Sequence, residues 1–75
     1  MRVIPYTTTR GAAQFRPALT EAEYREADMS GFCLACGEAA DGVEPDARRY
    51  PCEACGALKV YGLEELLVMG LLTIE

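Results

Sequence analysis

All four cysteines of the chain fall in two short units, Cys33-Leu34-Ala35-Cys36-Gly37 and Cys52-Glu53-Ala54-Cys55-Gly56, with fifteen residues between the second cysteine and the third. Two Cys-x2-Cys pairs at this spacing are the pattern of a four-thiolate zinc site. The constraint is severe, because a 75-residue chain has too little interior to be secure on apolar burial alone. A structural zinc contributes about 10–16 kcal/mol of apparent binding free energy to folding. The metal is therefore expected to be what makes this chain fold.

The length allows one small domain, and 51% apolar with 25% charged residues is the composition of a globular chain rather than a disordered one. The first residues, Met1 to Tyr6, carry no long apolar run, and no segment approaches the roughly 20 apolar residues of a membrane span. The expected setting is cytoplasmic, without membrane association. In a reducing compartment four paired cysteines are thiolate ligands rather than disulfides.

Charge is uneven. Residues 1–32 balance Arg2, Arg10, Arg16 and Arg25 against Glu21, Glu23, Glu26 and Asp28, so the rest of the chain supplies the whole formal charge of −5. Four thiolates around one Zn2+ add two further negative units. A domain of this charge is expected to repel nucleic acid overall.

Arg2 to Thr7 alternates apolar and polar residues and reads as a strand, which Pro5, lacking a backbone donor, restricts to a sheet edge. Thr7 to Gly11 reads as a loop, and Ala12 to Pro17 as irregular chain with Phe15 anchored on the core. Thr20 and Glu23 form a capping box, flanked by Leu19 and Tyr24 at the positions of a hydrophobic staple, so a helix of two to three turns should start there and stop at Gly31. Between the cysteine units, Glu38 to Val43 and Ala47 to Tyr50 can pair as antiparallel strands across Glu44-Pro45-Asp46. Ala57 to Tyr61 alternates like a further strand ending at Gly62, and Leu63, Leu66 and Leu67 then repeat at helical spacing, predicting a short helix from Leu63 to Met69. Gly70 can cap it, leaving Leu71 to Ile74 as a last strand beside Val3-Ile4, or the helix can continue. Leu63 to Ile74 is apolar on most sides, so it either completes the core or presents Leu66, Leu67, Met69 and Leu71 to a protein partner or a second copy of the chain.

In each cysteine unit two sulfurs must lie together on one tight turn, and two intervening residues give that reach while leaving backbone N–H groups aimed at the sulfurs. The following glycine, Gly37 or Gly56, permits the positive φ that closes the turn. Residues 32–61 thus resemble the zinc-ribbon, or rubredoxin-like, superfamily, in which paired CxxCG knuckles at the tips of two β-hairpins hold a structural zinc. The resemblance implies Cys33, Cys36, Cys52 and Cys55 as ligands and a small α+β metal-bound domain, with zinc-ribbon β-hairpins and two short helices. Residues 1–31 would form a strand, loop and helix packed on the ribbon of residues 32–61, and residues 62–75 an apolar C-terminal segment, all in one domain. It does not name a function, since ribbons serve in transcription, translation, replication and scaffolding. An iron electron carrier of the rubredoxin kind is an alternative, because tetrahedral S4 suits either metal. Rubredoxins, however, have more widely spaced knuckles and an aromatic core with tryptophan, which this chain lacks.

An enzyme signature also has to be weighed. Cys36-Gly37-Glu38 followed by Pro51-Cys52-Glu53-Ala54-Cys55 superficially matches the two halves of a zinc deaminase, with Glu38 as proton shuttle. Against it, Cys33 supplies a fourth thiolate that fills the position water would need, the two halves are too close, and so short a chain leaves little room for a substrate pocket. Without histidine or a phosphate-cradling glycine loop, most other catalytic options also fall away. Arg48, Arg49 and Tyr50, with Lys59 on a neighbouring strand, are candidates for binding phosphate and stacking on a base. Their acidic surroundings favour pairing with Glu44, Asp46 or Glu53 instead. The expected function is that of a non-enzymatic structural zinc protein working as a small protein-interaction or adaptor module.

Overall fold

The computed structural model describes all residues 1–75 as two antiparallel β units with two short helices beside them. Strand β1 (Arg2–Thr7) runs antiparallel to β2 (Ala13–Leu19), and Ala18 and Leu19 of β2 pair in parallel with a short last strand, Thr73–Ile74. The second sheet has four strands. β3 (Ser30–Cys33) and β4 (Ala39–Asp41) flank the first cysteine unit, β5 (Tyr50–Pro51) and β6 (Leu58–Gly62) flank the second, and the order across the sheet is β4-β3-β6-β5. The last strand, β7, is the Thr73–Ile74 segment, which makes the first sheet β1-β2-β7.

β1 lies at a sheet edge, as Pro5 demands. The segment Ala12 to Pro17, expected to be irregular, is instead most of β2. Its prolines are tolerated for a common reason. Pro5 stands opposite Phe15, whose N–H goes to the Leu34 carbonyl at 2.8 Å, away from β1. Pro17 lies two residues further along β2, on the same side of the alternation, opposite Val3. Neither proline occupies a position where the β1–β2 ladder calls for its missing N–H.

Helix α1 (Glu21–Glu26) starts at the Thr20 cap, where Thr20 Oγ1 accepts from Glu23 N–H at 3.1 Å and Glu23 Oε1 accepts from Thr20 N–H at 2.8 Å. The amino terminus adds an ion pair to Glu23, and this bond, with the cap, holds the Glu23 carboxyl below its ordinary range. The helix ends at Ala27, earlier than expected. Gly31 is not its stop but a buried residue of β3, where a Cβ would press on the Tyr61 carbonyl and on Val43 at 2.8 Å.

The expected hairpin between the two cysteine units does not form. β4 pairs back onto β3, and β5 forward onto β6, so each unit sits at the tip of its own hairpin. Residues 42–49 cross over as a loop that clamps helix α2 (Leu63–Val68). Gly62, at the helix cap position, has no side chain to satisfy the first-turn donors, and the Pro45 carbonyl takes the Glu65 N–H at 2.9 Å. That approach is why residue 62 is glycine: a Cβ would overlap the carbonyl oxygens of Glu44 and Pro45.

α2 ends in a Schellman turn, with Gly70 at φ +75°, its N–H donating to Leu67 O at 3.1 Å and the Leu71 N–H donating to Leu66 O at 2.9 Å. The chain then pairs with β2, not with Val3-Ile4 as expected. The main core lies where α2 and the two sheets meet, and comprises Leu19, Phe32, Leu34, Tyr61, Leu63, Leu66 and Leu72, with Phe15 and Tyr24 packed against it. Leu66 is fully buried there, so it offers no surface to a partner, and Leu71 packs against the same cluster. No helix is long and apolar enough to cross a membrane.

Candidate metal centre

Cys33 lies at the end of β3 and Cys52 follows β5, so each hairpin delivers its first cysteine from a strand and its second from the turn beyond. The turns are near-copies. Gly37 N–H donates to Cys33 O at 2.9 Å and Gly56 N–H to Cys52 O at 2.8 Å, while Cys33 N–H and Cys52 N–H donate to Glu38 O and Ala57 O, each at 2.9 Å. Gly37 and Gly56 both have positive φ, +80° and +79°, a conformation that closes the turn without a Cβ clash.

β3 and β6 pair in the middle of the sheet, Cys33 opposite Val60, and this brings the two turns together. The four sulfurs lie within 4.8 Å of one another, with Cys33 Sγ 3.7 Å from Cys55 Sγ and Cys36 Sγ 3.6 Å from Cys52 Sγ. A disulfide would need about 2.05 Å. A tetrahedral ion bonded to four sulfurs at about 2.3 Å holds each pair of sulfurs about 3.8 Å apart. The Cys33–Cys55 and Cys36–Cys52 separations match that spacing, and the cluster is compatible with a metal ion. A second apolar cluster of Cys33, Val43, Ala47, Cys52 and Val60 surrounds the sulfurs, with Ala35, Cys36 and Ala40 against it.

The thiols are unequal. Burial pushes Cys33 up, against the pull of the Cys36 and Ala35 backbone N–H groups. At Cys36 the Glu38 backbone N–H pulls downward, but burial and hydrogen bonding with Cys52, Cys33 and Cys55 together push it up to about 12. Cys52 is lowered to about 7, chiefly by the backbone N–H of Cys55, with Ala54 N–H and the sulfurs of Cys36 and Cys33 adding to it against burial. Without a metal, one thiol of the cluster is thus poised to ionise while two hold their protons.

The two turns also differ in cover. At Gly37 an added Cβ would meet Val3 Cγ1 at 3.2 Å and Phe15 Cγ at 3.3 Å, so the first turn is packed beneath the β1–β2 sheet. At Gly56 nothing lies within 4 Å, and Cys55 is exposed. The residues before the first cysteine unit thus shield half the site, a role that no sequence motif announced.

The candidate nucleic-acid residues are not assembled into one patch. Arg48 Nε is 3.0 Å from Glu65 Oε2, and the Tyr50 hydroxyl donates to Glu44. That bond raises Tyr50 and lowers Glu44 relative to their ordinary values. Tyr50 pairs with Val60 and shares its face, so Lys59, one residue earlier in β6, points to the opposite side. Arg49 is exposed beside them with φ +54°. Of the candidate partner-binding residues, Leu67 and Met69 are 39% and 41% exposed, and the neighbouring Val68, absent from the expectation, reaches 78%. Its helical position between two candidates was the available signal. Compared with family models, with curated proteins and with solved structures, the chain matches none.

Proposed function

We propose that this chain is a non-enzymatic zinc-ribbon module, in which one structural zinc held by Cys33, Cys36, Cys52 and Cys55 organises the fold and the surrounding surface engages a protein partner or a second copy. The observation that carries the reading is the closed set of four sulfurs within 4.8 Å. Four thiolates fill a tetrahedral shell and leave no position for a substrate or an activated water, which is the mark of a structural rather than a catalytic zinc. Zinc is preferred to iron because the chain lacks the tryptophan-bearing aromatic core of the rubredoxins it would otherwise resemble. The interaction half of the reading is supported by Leu67, Val68 and Met69, which form an exposed apolar ridge at the end of α2.

Metal analysis together with native mass measurement tests both halves. One zinc per chain is expected, with none of the visible absorption of an iron tetrathiolate, and with a mass above that of the monomer or a partner retained. Leu67→Asp should abolish the association while zinc stays bound. A strictly monomeric zinc protein that retains no partner would sink the interaction half, and iron in the isolated protein would sink the choice of metal.

A further inference from the structure

On the face of the four-stranded sheet that carries Cys33 and Val60, the 42–49 loop lays Val43 and Ala47 over part of the surface. Beside them is an open groove of about 670 Å³, within the range of ligand-binding clefts. β4 bounds it on one side, and β5 with the second cysteine turn on the other; Val43 and Val60 lie buried at its floor, and Ala39, Tyr50 and Ala54 supply its exposed apolar surface.

Two features specify what fits it. Its charged side chains are Glu38, Asp41 and Glu53, with no lysine or arginine among the lining residues. None of the three is in an ion pair, Arg2, Arg25 and Arg48 being directed to Glu75, Glu21 and Glu65 instead. The second feature is the edge of β4. Cys33 N–H bonds Glu38 O, which places the residue two further on, Ala40, opposite Gly31 in the bonded phase of the ladder. Ala39 and Asp41 then turn their backbone groups outward, and β4 has no strand on that side.

We propose that this groove docks an extended, lysine- or arginine-bearing segment of a partner protein, laid as an added strand along β4. Backbone groups of the segment pair with Ala39 and Asp41, cations on its groove-facing side chains meet Glu38 and Glu53, and a cation on the alternate side chains, over the opposite face of the sheet, meets Asp41. The inference rests on the reading of the chain as an interaction module and assigns that module a second surface, separate from the α2 ridge.

The test is selection of random octapeptides on the zinc-loaded protein, followed by amide chemical-shift mapping with a selected peptide. Enriched sequences should be rich in lysine or arginine in an extended, proline-free context, and the shifts should fall on residues 38–43 and 50–54. Asp41→Lys, an exposed change, should weaken binding about fivefold or more, a charge reversal at a close pair being worth at least that, while Leu67→Asp leaves it unaltered. Enrichment of acidic or unpatterned peptides, binding indifferent to Asp41→Lys, or no enrichment at all would overturn the groove assignment. Shifts confined to α2 would overturn it too, while leaving the interaction reading standing.

Discussion

Gly37 and Gly56 occupy equivalent turns with nearly equal φ, yet their surroundings separate them. Replacing either with alanine incurs the left-handed penalty of about 1–2 kcal/mol. Only at Gly37 does the new methyl also press on Val3 and Phe15, at 3.2 and 3.3 Å. Gly37→Ala is therefore expected to lower the thermal midpoint more than Gly56→Ala, as calorimetry of the zinc-loaded variants would read. The cysteines carry a pH dependence. Cys33 and Cys36 are held above the ordinary thiol value, so the metal-free cluster keeps their protons at neutral pH and must release them on loading. The loaded form binds fewer protons, and zinc affinity should rise with pH. Each proton that leaves raises the affinity about tenfold per pH unit, so release from Cys33 and Cys36 alone gives about a hundredfold, measurable by chelator competition between pH 6 and pH 8. Cys36→Ser removes one of four ligands, and circular dichroism with added zinc should show the fold lost. The clustering of the four cysteines was legible from spacing alone; the unequal burial of the two turns was not, because the residues that cover Gly37 come from β1 and β2.

At the scale of elements, local chemistry was a good guide at the Thr20 and Gly70 caps, though not at Gly31, which lies in β3. Thr20 and Glu23 set the start of α1, and Thr20→Ala should cost about 1 kcal/mol in denaturant unfolding, provided zinc is kept saturating. Gly70 ends α2 by a Schellman turn as its position suggested. Reading failed where a strand's partner lay far away. Glu38 to Val43 and Ala47 to Tyr50 look complementary to one another across a three-residue turn, but the cysteine turns close on their own backbone bonds, Cys33 N–H to Glu38 O and Cys52 N–H to Ala57 O, and so bring β3 to β4 and β5 to β6 although the loops are longer. Pro17 made β2 look irregular because whether a proline's missing donor matters depends on which side of the ladder it faces. Within α2, neighbouring leucines should behave oppositely. Leu66→Ala removes a fully buried side chain and is expected to cost about 2–5 kcal/mol, whereas Leu67→Ala, at a 39% exposed position, should change stability little. Parallel denaturation curves would show the contrast.

The whole molecule has two apolar centres in one small chain, a leucine-rich core between the sheets and a smaller cluster around the sulfurs. Strand β3 belongs to both, since Phe32 faces the first, joined by Leu34 just beyond the strand, and Cys33 the second. Loss of the metal is therefore expected to propagate. Chelation should abolish the tertiary circular-dichroism signal in a single transition, and separate transitions for the two sheets would contradict it. By itself the sequence determined the two cysteine units, their glycine turns, the Thr20 cap and the Leu63 helix, because each is fixed by residues within a few positions of one another. Only the tertiary structure decided which hairpins form, which leucines of α2 are buried, where Lys59 and Tyr50 point, and that a groove rimmed by carboxylates stays open beside the metal site. These depend on which distant strands share a sheet and which face each turns inward, and a shift of one residue in that pairing would exchange buried for exposed throughout a strand.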